Sequence, residues 1–279
     1  MQAPGPSLPW RDGCAIAEVP RIDVPVPARV YDYLLGGKDN YSVDRAAGDL
    51  LCERVPCAVE LAWANRRFLH RVVKFMAAGG ITQFIDIGPG FPTAPTTDEA
   101  ARGVNPGARV VYADNDPVVV SHLRALRGDH QVMAIHADVR QPDAILGSLP
   151  AQELIDFARP VGLVLTDVLH FLPEECDLGE IATALRRRLV PGSYLAVSHV
   201  SSTGTAPQWR KAVLDSFPLE APACPVFRTA DQICRVFGDW PLVQPGLTDI
   251  ACWRPESTPP VAPAPVTCLG GVAMAPRRA

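Results

Sequence analysis

Four aspartates lie where an apolar run gives way to glycine, proline or a polar turn, and carboxylates so placed can hold a cationic or hydroxyl-bearing ligand. Asp86 stands two residues before Gly88-Pro89-Gly90. Asp114 opens Asp114-Asn115-Asp116-Pro117, Asp138 falls in Ala137-Asp138-Val139, and Asp167 in Thr166-Asp167-Val168. A semi-buried carboxylate needs a partner, because its ionised form is otherwise too costly. Without Cβ atoms, Gly88 and Gly90 let the backbone take unusual φ/ψ and lie against a ligand. Asp114, with Asn115 beside it, lies 26 residues after Gly88 and is placed to accept both ribose hydroxyl protons. Asp138-Val139 occupies the corresponding tip, where an adenine amino group could donate. Asp116 followed by Pro117 also reads as the N-cap and first residue of a helix.

The acids help to separate the nucleotide-type ligands. The dinucleotide fingerprint requires Gly-x-Gly-x-x-Gly at a helix start that holds a pyrophosphate. Here Thr93 occupies the third position behind Pro92, and Asp86, Asp114 and Asp116 would repel a pyrophosphate. S-adenosylmethionine carries an ammonium and a sulfonium but no phosphate, so it is the expected cofactor. An NAD(P)-dependent oxidoreductase is further disfavoured because no Tyr-x-x-x-Lys pair follows the fourth strand. Lys38 after Gly36-Gly37 does not complete a phosphate loop, since Asp32 replaces its first glycine and Asp39 its Ser/Thr.

Three further groups admit two readings each. Tyr31, Asp32, Lys38, Asp39, Asn40 and Tyr41 suit a lid whose Tyr and Asn side chains stack on and hydrogen-bond a ligand, and equally suit a capped helix end with a solvated turn. Arg66, in Asn65-Arg66-Arg67, can bind a ligand carboxylate bidentately or belong to a solvated helix face. His170, beyond the fourth strand, can act as a base toward a methyl acceptor or be a packed structural histidine.

The elements that must position these residues follow from periodicity. Ile81–Ile87 reads as a buried parallel strand, followed by strands over 109–113, 131–136, 161–165 and 193–199, with closing strands over 248–253 and 267–273. Helical spacing runs from Ala28 to Gly36-Gly37, over 61–78 and over 181–189, and Thr96-x-x-Glu99 and Thr229-x-x-Gln232 have capping-box spacing. Alternating strands and helices with an early glycine turn predict a doubly wound, Rossmann-like α/β sheet. The net charge of −4 carries no basic stripe, which argues against a dedicated nucleic-acid binder. Eight scattered cysteines without a Cys-x-x-Cys pair, a Met1–Gly13 start without an apolar core and no membrane-length apolar run predict a cytoplasmic protein with reduced thiols and no metal site.

The chain resembles the actinobacterial S-adenosylmethionine-dependent methyltransferase family 19, formerly a domain of unknown function. The resemblance rests on residues 28–41 (ARVYDYLLGGKDNY), 64–66 (ANR), 84–93 (FIDIGPGFPT), 110–117 (VVYADNDP), 168–171 (VLHF) and 270–273 (GGVA). It implies the class I methyltransferase sheet of seven strands with the last antiparallel, and a methyl transfer from S-adenosylmethionine to an acceptor of unspecified kind. The expected organisation is a tail over 1–27, a helical lid over 28–80, the methyltransferase domain over 81–274 and a tail over 275–279. The acceptor is expected to be a small molecule. A protein that binds S-adenosylmethionine or S-adenosylhomocysteine without turnover is the other reading, supported by the lack of an unmistakable base. The chain departs from the family where Pro89 replaces the Thr of Gly-Thr-Gly and where Thr96-Thr97-Asp98-Glu99 replaces Asn-x-His-Glu.

Overall fold

The computed structural model describes residues 21–126, 130–217, 223–256 and 264–276. Most of the expected N-terminal tail (1–20), part of the Pro-rich stretch (257–263) and the last residues (277–279) lie outside the described residues. Seven strands form one sheet in the order β3-β2-β1-β4-β5-β7-β6: β1 Gln83–Ile87, β2 Arg109–Asp114, β3 Val132–His136, β4 Gly162–Thr166, β5 Tyr194–Ser201, β6 Thr248–Asp249 and β7 Thr267–Met274. Strands β1 to β5 pair in parallel, whereas β7 runs antiparallel between β5 and β6. The strand order steps outward from β1 in both directions, so the carboxyl ends of β1 and β4 flank the switch point where ligands bind in such sheets.

Helices cover both faces. They are α1 Pro27–Leu34, α2 Ser42–Arg54, α3 Ala58–Ala78, α4 Thr97–Arg102, α5 Pro117–Leu126, α6 Pro142–Gly147, α7 Leu149–Leu154, α8 Leu178–Arg186, α9 Pro207–Leu214 and α10 Ala230–Arg235. One core layer joins Ile85, Ile87 and Val111 of the sheet to α6, α7 and α8. The other joins Phe84, Val110, Tyr112 and Val164 to α3, α4 and α5. A third cluster unites α1, α2 and the first turns of α3 with Val213 of α9 and Val266. Helix α3 therefore serves two layers: Ala58 and Ala62 join the N-terminal cluster, and Phe68 to Ala77 pack on the sheet. No helix among the described residues is long and apolar enough to cross a membrane.

The strand expected over 248–253 is only two residues long. Asp249 ends it by capturing the next amides: its Oδ1 accepts from Ala251 N–H at 2.8 Å and its carbonyl from Cys252 N–H at 2.8 Å. That local turn swings Trp253 into the core, where it is fully buried edge-on to Phe68 and Phe75. Aromatic contacts of this kind add to area burial. We expect Trp253→Ala to cost about 3–5 kcal/mol of stability, measured by urea unfolding; a loss below about 1 kcal/mol would mean that the turn repacks without it.

Candidate active site

Alternation along β1 decides where Asp86 points. Ile85 and Ile87 face the α6–α8 layer, and Asp86 shares the face of Phe84 toward α3 and α4. There Thr97 Oγ1, at the start of α4, donates to Asp86 Oδ2 at 2.6 Å. Oδ1 is buried and has no hydrogen-bond partner. Burial pushes the carboxyl up to about 6, against the Thr97 hydrogen bond and the Arg66 charge. The capping box expected at Thr96 is present, with Thr96 N–H donating to Glu99 Oε2 at 2.9 Å. Asp98 is satisfied within the fold: Tyr112 Oη donates to its Oδ1 at 2.6 Å and accepts its N–H at 2.9 Å.

The glycine turn uses up its own amides. Gly88 N–H donates to the Ala113 carbonyl at 2.8 Å, Pro89 has no N–H, and Gly90 N–H donates to Asp114 Oδ2 at 3.2 Å. Positions 88 to 90 thus offer nothing to a phosphate. Gly88 has φ 71°, and a Cβ there would come within 2.4 Å of Val168 Cγ2. At Gly90, with φ 66°, the space a Cβ would enter is open.

Asp114 is buried and pushed up to about 6 by desolvation, with the amides of Asp116 and Gly90 pulling it back. Asp116 N–H donates to its Oδ1 at 2.9 Å. Asp116 itself does cap α5, accepting Val118 N–H at 2.8 Å, but its other oxygen lies 3.2 Å from Arg29 Nη2 of α1. Asn115 is exposed, and its carbonyl accepts from His136 Nε2 at 3.0 Å. At the β3 tip, Asp138 is paired with Arg140, whose Nε donates to both oxygens at 3.0 and 2.9 Å and holds the carboxyl below its usual range. An adenine amino group would share Asp138 with that arginine. Val139 is buried in the α6–α8 core layer.

Beyond β4, Asp167 adopts φ 60°, in the left-handed region. Such a conformation costs on the order of 1 kcal/mol and persists where the surroundings enforce it. A hydrogen-bonded chain does so: Asp167 N–H donates to Ser198 Oγ (2.9 Å), Ser198 Oγ to Asn65 Oδ1 (2.6 Å), Asn65 Nδ2 to Tyr31 Oη (3.1 Å), and Tyr31 Oη to the Ala62 carbonyl (3.0 Å). This chain ties the β4 tip to β5, α3 and α1. Desolvation raises the Asp167 carboxyl to about 7, opposed by Arg66, although 22% of the side chain remains exposed. Arg66 Nη2 donates to the carbonyls of Thr93 and Pro95, fixing the loop after the glycine turn.

His170 Nδ1 lies 3.7 Å from Asp167 Oδ1 and is buried without a hydrogen-bond partner. Burial, then the charges of His199 and Arg228, hold His170 well below the usual histidine range. Arg228 donates to the carbonyls of Leu169, Leu172 and Pro173 and to His199 Nε2. Because an arginine can only donate, His199 carries its proton on Nδ1, which donates to Val200 O at 2.7 Å. A histidine this far below neutrality is a weak base, so the packing favours the structural reading of His170.

The carboxyl ends of β1, β2 and β4 therefore bring together Tyr31, Arg66, Asp86, Gly88, Pro89, Gly90, Asp114 and Asp167. Asn40 donates to Asp32 Oδ2 at 2.8 Å and to the Gly37 carbonyl at 3.1 Å, which holds its own loop closed. Arg29, Thr97, Ser198 and Arg228 were not singled out from the sequence. Arg29 lies within the 28–41 block and Thr97 within the Thr96-x-x-Glu99 capping box, but neither stretch assigns them these contacts, and the partners of Arg29 and Arg228 lie far along the chain.

This strand order, with one antiparallel strand and acids at the tips around the switch point, is that of the Rossmann-like class I methyltransferases. The family model described as S-adenosyl methyltransferase matches residues 17–276, and the chain belongs to that family. It is an S-adenosylmethionine-dependent methyltransferase. A crystal structure from Thermobifida fusca YX, assigned to the methyltransferases, is 39% identical over 91% of this chain and 96% of its own, with a TM-score of 0.85. A DUF574-family protein from Streptomyces avermitilis MA-4680 is 33% identical over 91% of this chain and 99% of its own, with a TM-score of 0.86. No curated protein matches the chain. The residues present fit the cofactor: the bare Asp86 Oδ1 calls for a cation, the turn offers no amide to a phosphate, and Gly90 leaves room above the backbone.

Raised carboxyl pKa values have a definite sign in stability. Asp86 is 3.8 in the reference state and about 6 when folded, so its contribution favours folding below about 4 and is lost as pH rises through about 6. The neutral histidines act oppositely, so the parent's melting profile alone mixes the two. We expect Asp86→Asn, compared with the parent without cofactor, to be more stable by on the order of 2–3 kcal/mol at about pH 8 and equal near pH 4. A variant less stable than the parent at about pH 8 would show that the carboxylate is compensated without ligand.

Proposed function

We propose that this methyltransferase acts on a small-molecule acceptor inside a capped crevice, with the cofactor held by the aspartates at the strand tips. The observation that carries this reading is Asp86 Oδ1, buried and unpartnered beside two further carboxyls pushed up by desolvation. Asp86 receives the cofactor ammonium, Arg66 its carboxylate, Gly88-Pro89-Gly90 its aliphatic chain, Asp114 and Asn115 the ribose, and Asp138-Val139 the adenine. Tyr31 closes the site from α1. A small acceptor is supported by the cover over the strand tips, where Tyr31 of α1 and Asn65 of α3 are tied through Ser198 to Asp167.

Bound S-adenosylmethionine supplies a methyl group already activated on sulfur, so the protein's task is orientation and exclusion of water. Asp167 is the group best matched to take the acceptor's proton. It is partly exposed, lies at the β4 tip, and has a carboxyl near 7, close to the working pH that general bases favour. The acceptor heteroatom forms the new bond to carbon, its proton passes to Asp167, and the electron pair of the broken bond stays on sulfur. His170, neutral and 3.7 Å away, faces the acid that takes the proton.

Calorimetry with S-adenosylmethionine and NAD tests the site: we expect binding of the first only, and Asp114→Ala to weaken it by about 1.5–3 kcal/mol. Tight NAD binding without S-adenosylmethionine binding would overturn the assignment. Incubation with methyl-labelled cofactor and a fractionated cell extract tests the acceptor, with label expected in the low-mass fraction; label confined to protein or nucleic acid would refute a small acceptor.

A further inference from the structure

Arg29 of α1 is 2% exposed, and its Nη2 lies 3.2 Å from Asp116 Oδ2, itself 7% exposed. Two residues upstream of Asp116 stands Asp114, whose Oδ1 accepts the Asp116 N–H at 2.9 Å. The short segment carrying the acid assigned to the ribose is thus gripped at both ends. Gly90 N–H and Asp116 N–H hold the Asp114 carboxylate, and Val118 N–H and Arg29 hold that of Asp116. Neighbouring contacts join the α1–α2 segment to α5, and α5 to the loop after the glycine turn. The Arg29 guanidinium lies over the Tyr41 ring at 5.1 Å, and Asp39 Oδ2 is 3.5 Å from His122 Nδ1 on α5. His122 in turn stands edge-on to Phe91, one residue past Gly90, at 5.1 Å.

We propose that Arg29 is a positioning residue of the cofactor site: its buried pair with Asp116 couples the docking of α1 to the geometry of Asp114, so that cap closure and cofactor binding form one equilibrium. The inference rests on the assignment of Asp114 to the ribose made above. A pair this buried is not the weakly held, salt-screened kind found on surfaces. Undocking α1 would leave the Asp116 carboxylate without its cationic partner at the very turn that orients Asp114. Coupling between two sites is reciprocal, so a ligand on Asp114 must tighten α1 by the factor that α1 tightens the ligand. The chain from Asp167 through Ser198 and Asn65 to Tyr31 gives α1 a second grip on the β4 side of the same crevice.

The test titrates S-adenosylhomocysteine by calorimetry into the parent, Arg29→Met, Asp116→Ser and the double variant, with melting curves for each. Serine keeps an N-cap acceptor for α5. Each single variant strands one buried charge, and we expect lower melting temperatures and affinity reduced by about tenfold or more. The double variant strands none, so it should melt closer to the parent than either single variant. Its affinity should nevertheless stay about tenfold down, a separation of stability from binding that a merely structural pair would not produce. In hydrogen exchange, S-adenosylhomocysteine should slow the amides of residues 27–54 in the parent and leave them unchanged in the double variant. Parent-like affinity in the double variant, or equal protection of 27–54 in both proteins, would overturn the inference. A parent that binds neither S-adenosylhomocysteine nor S-adenosylmethionine would instead sink the assignment of the site, and the inference with it.

Discussion

A carboxylate taken out of water must be met by donors or by a positive charge, and this protein takes several out of water at once. Asp86, Asp114 and Asp167 lie at the carboxyl ends of β1, β2 and β4, around the switch point of the sheet, each pushed well above the ordinary carboxylate range by desolvation. The surrounding structure compensates them in part. Thr97 reaches Asp86, two backbone amides reach Asp114, and the charge of Arg66 acts on Asp86 and Asp167. What remains uncompensated, Asp86 Oδ1 above all, is carried at some cost in stability to the protein. Sites that store unfavourable electrostatics of this kind are where function and stability pull apart.

Where Asp116 differs from these three, the difference is instructive. It lies in the same four-residue turn, is as buried as Asp114, and has its own arginine. Asp116 is met by a helix N-terminus and an arginine, in keeping with the N-cap that Asp116-Pro117 suggests in the sequence, whereas Asp114 is met by backbone amides. The same contrast holds between Asp98, satisfied by Tyr112, and Asp86, from which an oxygen is left bare.

Much of the fold was legible because its strands are short β-branched runs that stop at glycine or aspartate, and because the helices between them carry regular apolar spacing. The strand tips were legible for the same reason, which is why the aspartates stood out. The end of the chain was less so. Thr248–Trp253 has strand composition, yet Asp249 folds it back after two residues, a local side-chain competition that composition does not reveal. Short helices such as Pro142–Gly147 and Leu149–Leu154 were not distinguished from the loops around them. The bond from Asn40 to Asp32, eight residues upstream, was not legible either, because no local pattern pairs the two. Arg29 and Arg228 could not be read because their meaning lies wholly in partners distant in sequence.

The N-terminal cluster has a consequence for the order in which a new chain takes shape. Val30, Leu34 and Ala47 pack with Val213 and Val266, and the partner of Arg29 comes 87 residues later. Chains are synthesised from the N-terminus at roughly 5–20 residues per second, so α1 leaves the ribosome many seconds before its last neighbours exist. Contacts of such long range are slow to close even once both ends are present. The five parallel strands, complete by Ser201, can therefore pair while the helices that will cover their tips still wait for Val266, and the crevice stays open until that residue has been made.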